Sequence, residues 1–342
     1  MINHTTLDKY LDTWANTDER KPVADTIKAL VIAGRTISRL VALGPLAGEV
    51  GAVIGEHLDG DTQKELDLRT NDIVVEALRS VSVAFIASEE MENAVATGQP
   101  DAPLIVAMDP LDGSSNIDTN VSIGTIFSIL PKIENETDPN TQFFQSGRNQ
   151  LASGYIIYGP QLALVMTVGD GTHIFTCDPG DDLFKMTSEH IQIPASTQEF
   201  AINASNYRHW DKTIQRYIND CLEGADGPRE KNFNTRWIAA MVAECQRILI
   251  RGGIYIYASD GREGYEHGRL RLIYEGNPIA FLMEQAAGAA TTGDMPVLDV
   301  IPTAIHQRIP LIFGSAEEVS TLENYIAGRQ PVRQNSPLFG PA

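Results

Sequence analysis

Apolar residues along the chain fall into two rhythms. Val23, Ile27, Leu30, Val31, Ile37, Leu40 and Val41 recur at helical spacing, and Pro22 suits a first turn, so an early amphipathic helix is predicted. A second helix is expected to be capped by Thr70 or Asn71 and to run through Arg79. Continuous apolar runs then take over. VSVAFIA (81–87) and PLIVAM (103–108) read as buried strands, the first ending in Ser88, Glu89 and Glu90 and the second in Asp109. Runs at 121–130, 153–158 and 162–168 predict further strands, with GDG (169–171) as a hairpin turn into HIFTC. From about residue 200 the texture changes. Helices are expected at 213–222, 236–250, 279–288 and 317–327, and strands at 253–259 and 310–315.

Residues 44–66 follow neither rhythm: they carry five glycines and predict a mobile loop. The coarse reading is two mixed-sheet domains of the α/β class, 1–199 and 200–330, and a flexible tail at 331–342. A length of 342 residues suits about two domains of roughly 150 residues each.

Charge narrows the partners. With 26 basic and 45 acidic residues the formal net charge is −19, which repels nucleic acid and anionic membranes. An anionic substrate would need cations gathered in its site. Cys177, Cys221 and Cys245 are far apart, which fits a reducing, cytoplasmic setting. MINHTTLDKYLD lacks a basic stretch followed by an apolar core, so no signal peptide is expected.

The candidate chemistry lies in DPLDGSSN (109–116). Leu111 occupies a position where an EF-hand loop needs an oxygen side chain, which excludes that reading. Asp109 and Asp112, with the Leu111 carbonyl between them, offer oxygens to hard divalent cations. Gly113, Ser114 and Ser115 offer backbone N–H groups to a phosphate. Glu89 and Glu90 can serve together only if their strand has ended before them, because neighbours on a strand face opposite ways. Asp67 adds a carboxylate just before the second helix.

LDLRTND (66–72), ASEE (87–90), DPLDGSSNIDTNVSIGTIFSI (109–129) and GRLRLIYEGNPIA (268–280) resemble class 1 fructose-1,6-bisphosphatase, in order and over roughly residues 25–325. DPxDG alone is shared with inositol-monophosphatase-like proteins, whereas RWIAAMVAECQRILIRGGIYIY (236–257) points to the bisphosphatase. The resemblance implies a layered α/β/α/β/α sugar-phosphatase fold and hydrolysis of D-fructose 1,6-bisphosphate to fructose 6-phosphate. It implies two or more Mg²⁺ ions per subunit, for which Mn²⁺ can substitute.

Glu89, Glu90, Asp109, Asp112, Glu275 and the Leu111 carbonyl would be the metal ligands, and Asp67 and Glu90 would activate the attacking water. Asp112, Gly113, Ser114 and Ser115 would meet the 1-phosphate; Asn203, Tyr207, Arg236, Tyr257, Arg269 and Tyr274 would meet the sugar and far phosphate. Arg236 would reach into a neighbouring subunit's site, implying a homotetramer. Arg269 stands where many members have lysine, which exchanges a point charge for a planar fork. Sedoheptulose-1,7-bisphosphatase is the alternative activity, and a regulatory homologue without catalysis the alternative class; no metal carboxylate is missing, which disfavours the latter. Many members bind AMP at the start of the first helix, but Pro22, Val23, Ala24 and Asp25 predict a weak response here.

Overall fold

The computed structural model describes residues 4–48, 53–56 and 62–329. Part of the 44–66 stretch and the whole 331–342 tail lie outside them, and with them the expectations of mobility. Seven helices are described: α1 (Leu7–Trp14), α2 (Arg20–Leu43), α3 (Glu65–Arg79), α4 (Lys212–Leu222), α5 (Met241–Arg251), α6 (Asn277–Gln285) and α7 (Ala316–Ile326). Strands β1 (Val53–Glu56) and β2 (Thr62–Lys64) form an antiparallel pair before α3.

An eight-stranded sheet follows: β3 (Val83–Ser88), β4 (Val95–Ala96), β5 (Leu104–Asp112), β6 (Ile123–Pro131), β7 (Ala152–Tyr158), β8 (Leu162–Thr167), β9 (Thr172–Asp178) and β10 (Leu183–Ser188). Its order is β10-β9-β8-β7-β6-β5-β3-β4, and only β3 and β5 run parallel. A second, five-stranded sheet comprises β11 (Glu199–Ile202), β12 (Asn234–Thr235), β13 (Ile254–Tyr257), β15 (Ala289–Thr291) and β17 (Leu311–Gly314). Between them in the chain, β14 (Leu270–Arg271) pairs with β16 (Arg308–Ile309).

Strand periodicity explains the layers. On β7, Ile156 and Tyr158 join α1, α2 and α3 in one core, while Tyr155 and Ile157 join α5 and α6 in another. That second core also contains Tyr255 and Phe313 of the five-stranded sheet, so α5 and α6 are covered on both sides. The far face of the second sheet, through Phe200, Ile202, Ile254 and Ile312, packs on α4 and α7. The order is α/β/α/β/α. By length and composition α2 could cross a membrane, yet Ile27, Leu30 and Ile37 bury its apolar face on the sheet.

Three element boundaries correct the expectations, and each concerns the cleft. Helix α3 begins at Glu65, ahead of Thr70 and Asn71, because the Asp67 carboxylate accepts the Lys64 N–H at 2.8 Å. Strand β5 does not end at Asp109: it continues to Asp112 across a bulge, where the register with β6 shifts. Helix α5 begins at Met241, not Arg236; Ala239 has φ +61°, a left-handed conformation that interrupts the apolar pattern. Helix α1 had no counterpart in the sequence reading.

Candidate active site

The bulge at the end of β5 sets the geometry. Asp109 Oδ1 accepts the Leu111 N–H at 3.0 Å, and Thr125 on β6 donates to the Pro110 carbonyl at 2.9 Å. The turn is thereby locked from both sides. Gly113 follows at φ +84°, and a Cβ there would sit 2.7 Å from the Ala240 Cβ, so only glycine fits. Ser114–Thr119 then form a 3₁₀ turn, closed by the Asn116 N–H on the Gly113 carbonyl.

Asp109, Asp112 and Glu275 are all buried, and their ligand oxygens lie within 4.8 Å of one another. Strand β3 ends at Ser88, so Glu89 and Glu90 lie in the turn beyond it and both line the same cleft. Asp112 also caps α5, accepting the Val242 N–H at 2.8 Å. Burial, and then the Glu89 and Asp112 charges, raise Asp109 well above the usual carboxylate range. Burial pushes Asp112 up to about 6, opposed by N–H groups of Val242 and Met241. Glu275 is raised for the same first reason, with Glu89 adding to it. Buried, mutually repelling carboxylates stay ionised only beside a cation. Oxygen-only donors suit a hard divalent ion, so the residues present fit such a metal.

The cleft, about 570 Å³, brings together Asp67, Glu89, Glu90, Asp109, Leu111, Asp112, Gly113, Ser114, Ser115, Asn203, Tyr257, Arg269 and Glu275. Away from the carboxylates its wall is aromatic: Trp237 stacks on Tyr255 with centroids 5.8 Å apart and planes at 10°. Tyr255 and Tyr257 share one face of β13 as i and i+2.

Three expected residues do not reach the cleft lining. Tyr274 is fully buried with its ring 5.4 Å from His306, so it has no face to offer a ligand. Tyr207 is exposed, and its hydroxyl accepts from the Asn219 amide at 2.9 Å. Arg236 points to the surface, with Nε 3.8 Å from the Glu199 carboxylate and its side chain 46% exposed.

The cleft adds residues the sequence reading missed, chiefly Lys64, Trp237 and Arg271. Lys64 Nζ donates to the Ser114 carbonyl at 3.0 Å and pairs with Asp118 at 2.9 Å. Arg271 pairs with Glu89 at 3.0 Å. Its signal was a second arginine two residues after Arg269; the signal for Trp237 was an aromatic ring directly after Arg236.

Closely gathered carboxylates at one end, amides of a tight turn beside them and a ring-lined, cationic far end suit a phosphate ester of a sugar. The fold and the cleft thus define a sugar phosphatase of the divalent-metal class. Comparison with known proteins makes the assignment narrower. Residues 5–189 match the fructose-1-6-bisphosphatase N-terminal domain family, and residues 193–327 match its C-terminal domain family. The chain is 52% identical over 328 residues to "Fructose-1,6-bisphosphatase class 1" of Azorhizobium caulinodans, covering 95% of this chain and 100% of that protein. It is 49% identical over 342 residues to "Fructose-1,6-bisphosphatase class 1 1" of Nitrobacter hamburgensis, covering 99% and 98%. The crystal structure of Leishmania major fructose-1,6-bisphosphatase in holo form superposes with a TM-score of 0.88 at 30% identity, over 96% of this chain and all of that one. The chain belongs to the class 1 fructose-1,6-bisphosphatase family.

Proposed function

We propose that this protein hydrolyses D-fructose 1,6-bisphosphate to D-fructose 6-phosphate and phosphate, using Mg²⁺. The observation that carries the reading is the buried cluster of Asp109, Asp112 and Glu275 beside an amide-rich turn in a chain of this family. Asp109, Asp112, Glu275, Glu89, Glu90 and the Leu111 carbonyl would hold two or more Mg²⁺ ions, with Mn²⁺ able to replace them. Bound there, the metal would polarise the phosphoryl group and neutralise charge on the leaving oxygen.

The chain's own groups supply the rest. Gly113, Ser114 and Ser115 orient the 1-phosphate through backbone N–H groups, which carry no charge to repel it. Asp67 and Glu90 take the proton from the attacking water. Asn203, Tyr257 and Arg269 hold the sugar and the far phosphate, and Trp237 supplies an apolar wall. Arg236, outside its own cleft, would serve the cleft of a neighbouring subunit in a homotetramer. A chain of net charge −19 attracts its substrate only where the arginines and the metal concentrate positive charge.

AMP should inhibit weakly. Thr26, the one hydroxyl near Pro22–Asp25, is fully buried and donates to the Pro22 carbonyl at 2.8 Å, so it is committed within the helix. A cytoplasmic enzyme of central carbohydrate metabolism fits these properties.

The test is phosphate release from fructose 1,6-bisphosphate with Mg²⁺, after chelation and after restoration of Mg²⁺. Loss and recovery are expected, and release that persists without divalent metal rejects the reading. Parallel assays on sedoheptulose 1,7-bisphosphate set the relative specificity.

A further inference from the structure

Arg269 is an unusual choice for a cleft cation unless something holds it. A free arginine side chain samples many rotamers, and its fork is useful only when its plane is fixed. The segment before β14, residues 258–268, is rich in charge and glycine and has no regular secondary structure. Nothing in the reaction above uses it.

Its tyrosine, Tyr265, is half-buried and lies under two guanidinium groups. The Arg262 carbon is 4.1 Å from the ring centroid and the Arg269 carbon 4.9 Å. Two like charges on one ring repel each other unless one is neutralised locally. Asp260 does this: it takes Arg262 in a fork, with Nε at 2.9 Å from Oδ1 and 3.1 Å from Oδ2, and also accepts the Arg262 N–H at 3.0 Å. The Tyr265 backbone ties the segment together. Its N–H donates to the Arg262 carbonyl at 3.0 Å, and its carbonyl accepts from Gly268 at 3.0 Å and Asp260 at 3.2 Å. Gly268, at φ +82°, turns the chain into Arg269; a Cβ there would strike the Ile309 carbonyl at 2.2 Å. On its cleft side Arg269 shares a side-chain hydrogen bond with Tyr257.

The geometry points to Tyr265 as a positioning residue for Arg269, backed by the Arg262–Asp260 pair, which sets the fork that receives the far phosphate. This rests on the assignment of Arg269 to that phosphate. The stack needs a ring and not a hydroxyl, because the attraction is between the guanidinium and the π face. It acts on the bound phosphate and not on the carboxylates, so it belongs to substrate affinity and not to turnover.

The experiment uses the full-length protein with Tyr265→Leu, Tyr265→Phe and Arg269→Leu. It measures kcat and KM for fructose 1,6-bisphosphate, the inhibition constant of fructose 6-phosphate and the Mg²⁺ concentration for half-maximal activity. Tyr265→Leu should raise KM and the fructose 6-phosphate constant together by roughly three- to tenfold, with kcat and the Mg²⁺ midpoint within about twofold of the parent. Tyr265→Phe should match the parent. The proposal is overturned if Tyr265→Leu leaves both constants unchanged, if it shifts the Mg²⁺ midpoint as much as KM, or if Phe behaves as Leu. If Arg269→Leu raises KM and Tyr265→Leu does not, the stack fails and the far-phosphate assignment stands. If Arg269→Leu leaves KM and the fructose 6-phosphate constant unchanged, the assignment fails and the role of Tyr265 fails with it.

Discussion

The aspartates at one end of the cleft are held by backbone, whereas the rings and cations at the other end are held by one another. Asp112 is anchored by the Val242 N–H, Asp67 by the Lys64 N–H and Asp109 by the Leu111 N–H, in a turn that only glycine can close. Trp237, Tyr255, Tyr257 and Arg269 are instead placed by stacking and side-chain contact, several of them half-exposed. Charge gathered in a dry site repels itself, and only a stiff backbone keeps it there. A sugar phosphate offers hydroxyls, an apolar face and a charge, and these are met by side-chain surfaces. One end should therefore govern the rate and the other the affinity.

The largest effect should come from Asp112→Asn. The amide oxygen can still accept the Val242 N–H, so the fold should survive, but the charge for the metal is gone. At saturating Mg²⁺, kcat should fall roughly 100-fold or more, about 2.7 kcal/mol in barrier. Steady-state kinetics beside a circular-dichroism melt separate this from unfolding, and near-normal turnover would remove Asp112 from the metal set.

Gly113→Ala tests the backbone argument with no change of charge. A left-handed alanine costs about 1–2 kcal/mol before its contact with Ala240 is counted. The turn should shift, lowering kcat/KM by roughly tenfold and the melting temperature by several degrees. An unchanged kcat/KM would show that the turn's amides do not grip the phosphate.

At the far end, Trp237→Leu should raise KM roughly three- to tenfold, with kcat within about twofold. A fall in kcat without a change in KM would erase the division between the ends.

The smallest effect is thermal. The metal-free fold keeps protons on Asp109, Asp112 and Glu275 that the unfolded chain has already lost, since their folded values are raised. Its stability therefore falls as pH rises from the ordinary carboxylate range of about 4 through about 6, the folded value of Asp112. Mg²⁺ removes that penalty, so its stabilisation, a few degrees by differential scanning calorimetry, should be larger at about pH 8 than at about pH 5. An equal gain at both would mean that these carboxylates do not titrate in the metal-free protein.

The same contrast decides what could be read before the structure. The acidic end is a local motif, with turn residues and carboxylates adjacent in the chain, and DPLDGSSN displays it without help from packing. The strands were legible because β6, β7 and β8 are buried on both faces, which leaves continuous apolar runs in the sequence. Helix starts were not. Nothing in Arg236–Ala240 marks Ala239 as left-handed, because that conformation is imposed from outside: Asn116 donates to the Ile238 carbonyl, and Glu244 accepts the Ile238 N–H. Nor does a sequence show which of several tyrosines faces a cleft. Tyr257 and Tyr274 are alike as residues, yet one lines the cavity and the other is fully buried beside His306. Trp237 is placed in the cleft by stacking on Tyr255, a contact the local sequence does not display.

The division of labour is tested most directly by the identity of the sugar product. In Mg²⁺, with fructose 1,6-bisphosphate as the only substrate, phosphorus NMR of the early reaction should show inorganic phosphate and fructose 6-phosphate rising in equal amounts. The ester at the carboxylates is then the one cleaved, and the ester at Arg269 is the one kept. Fructose 1-phosphate as the early product would contradict the account, because the carboxylates would then have acted on the phosphate assigned to the far end.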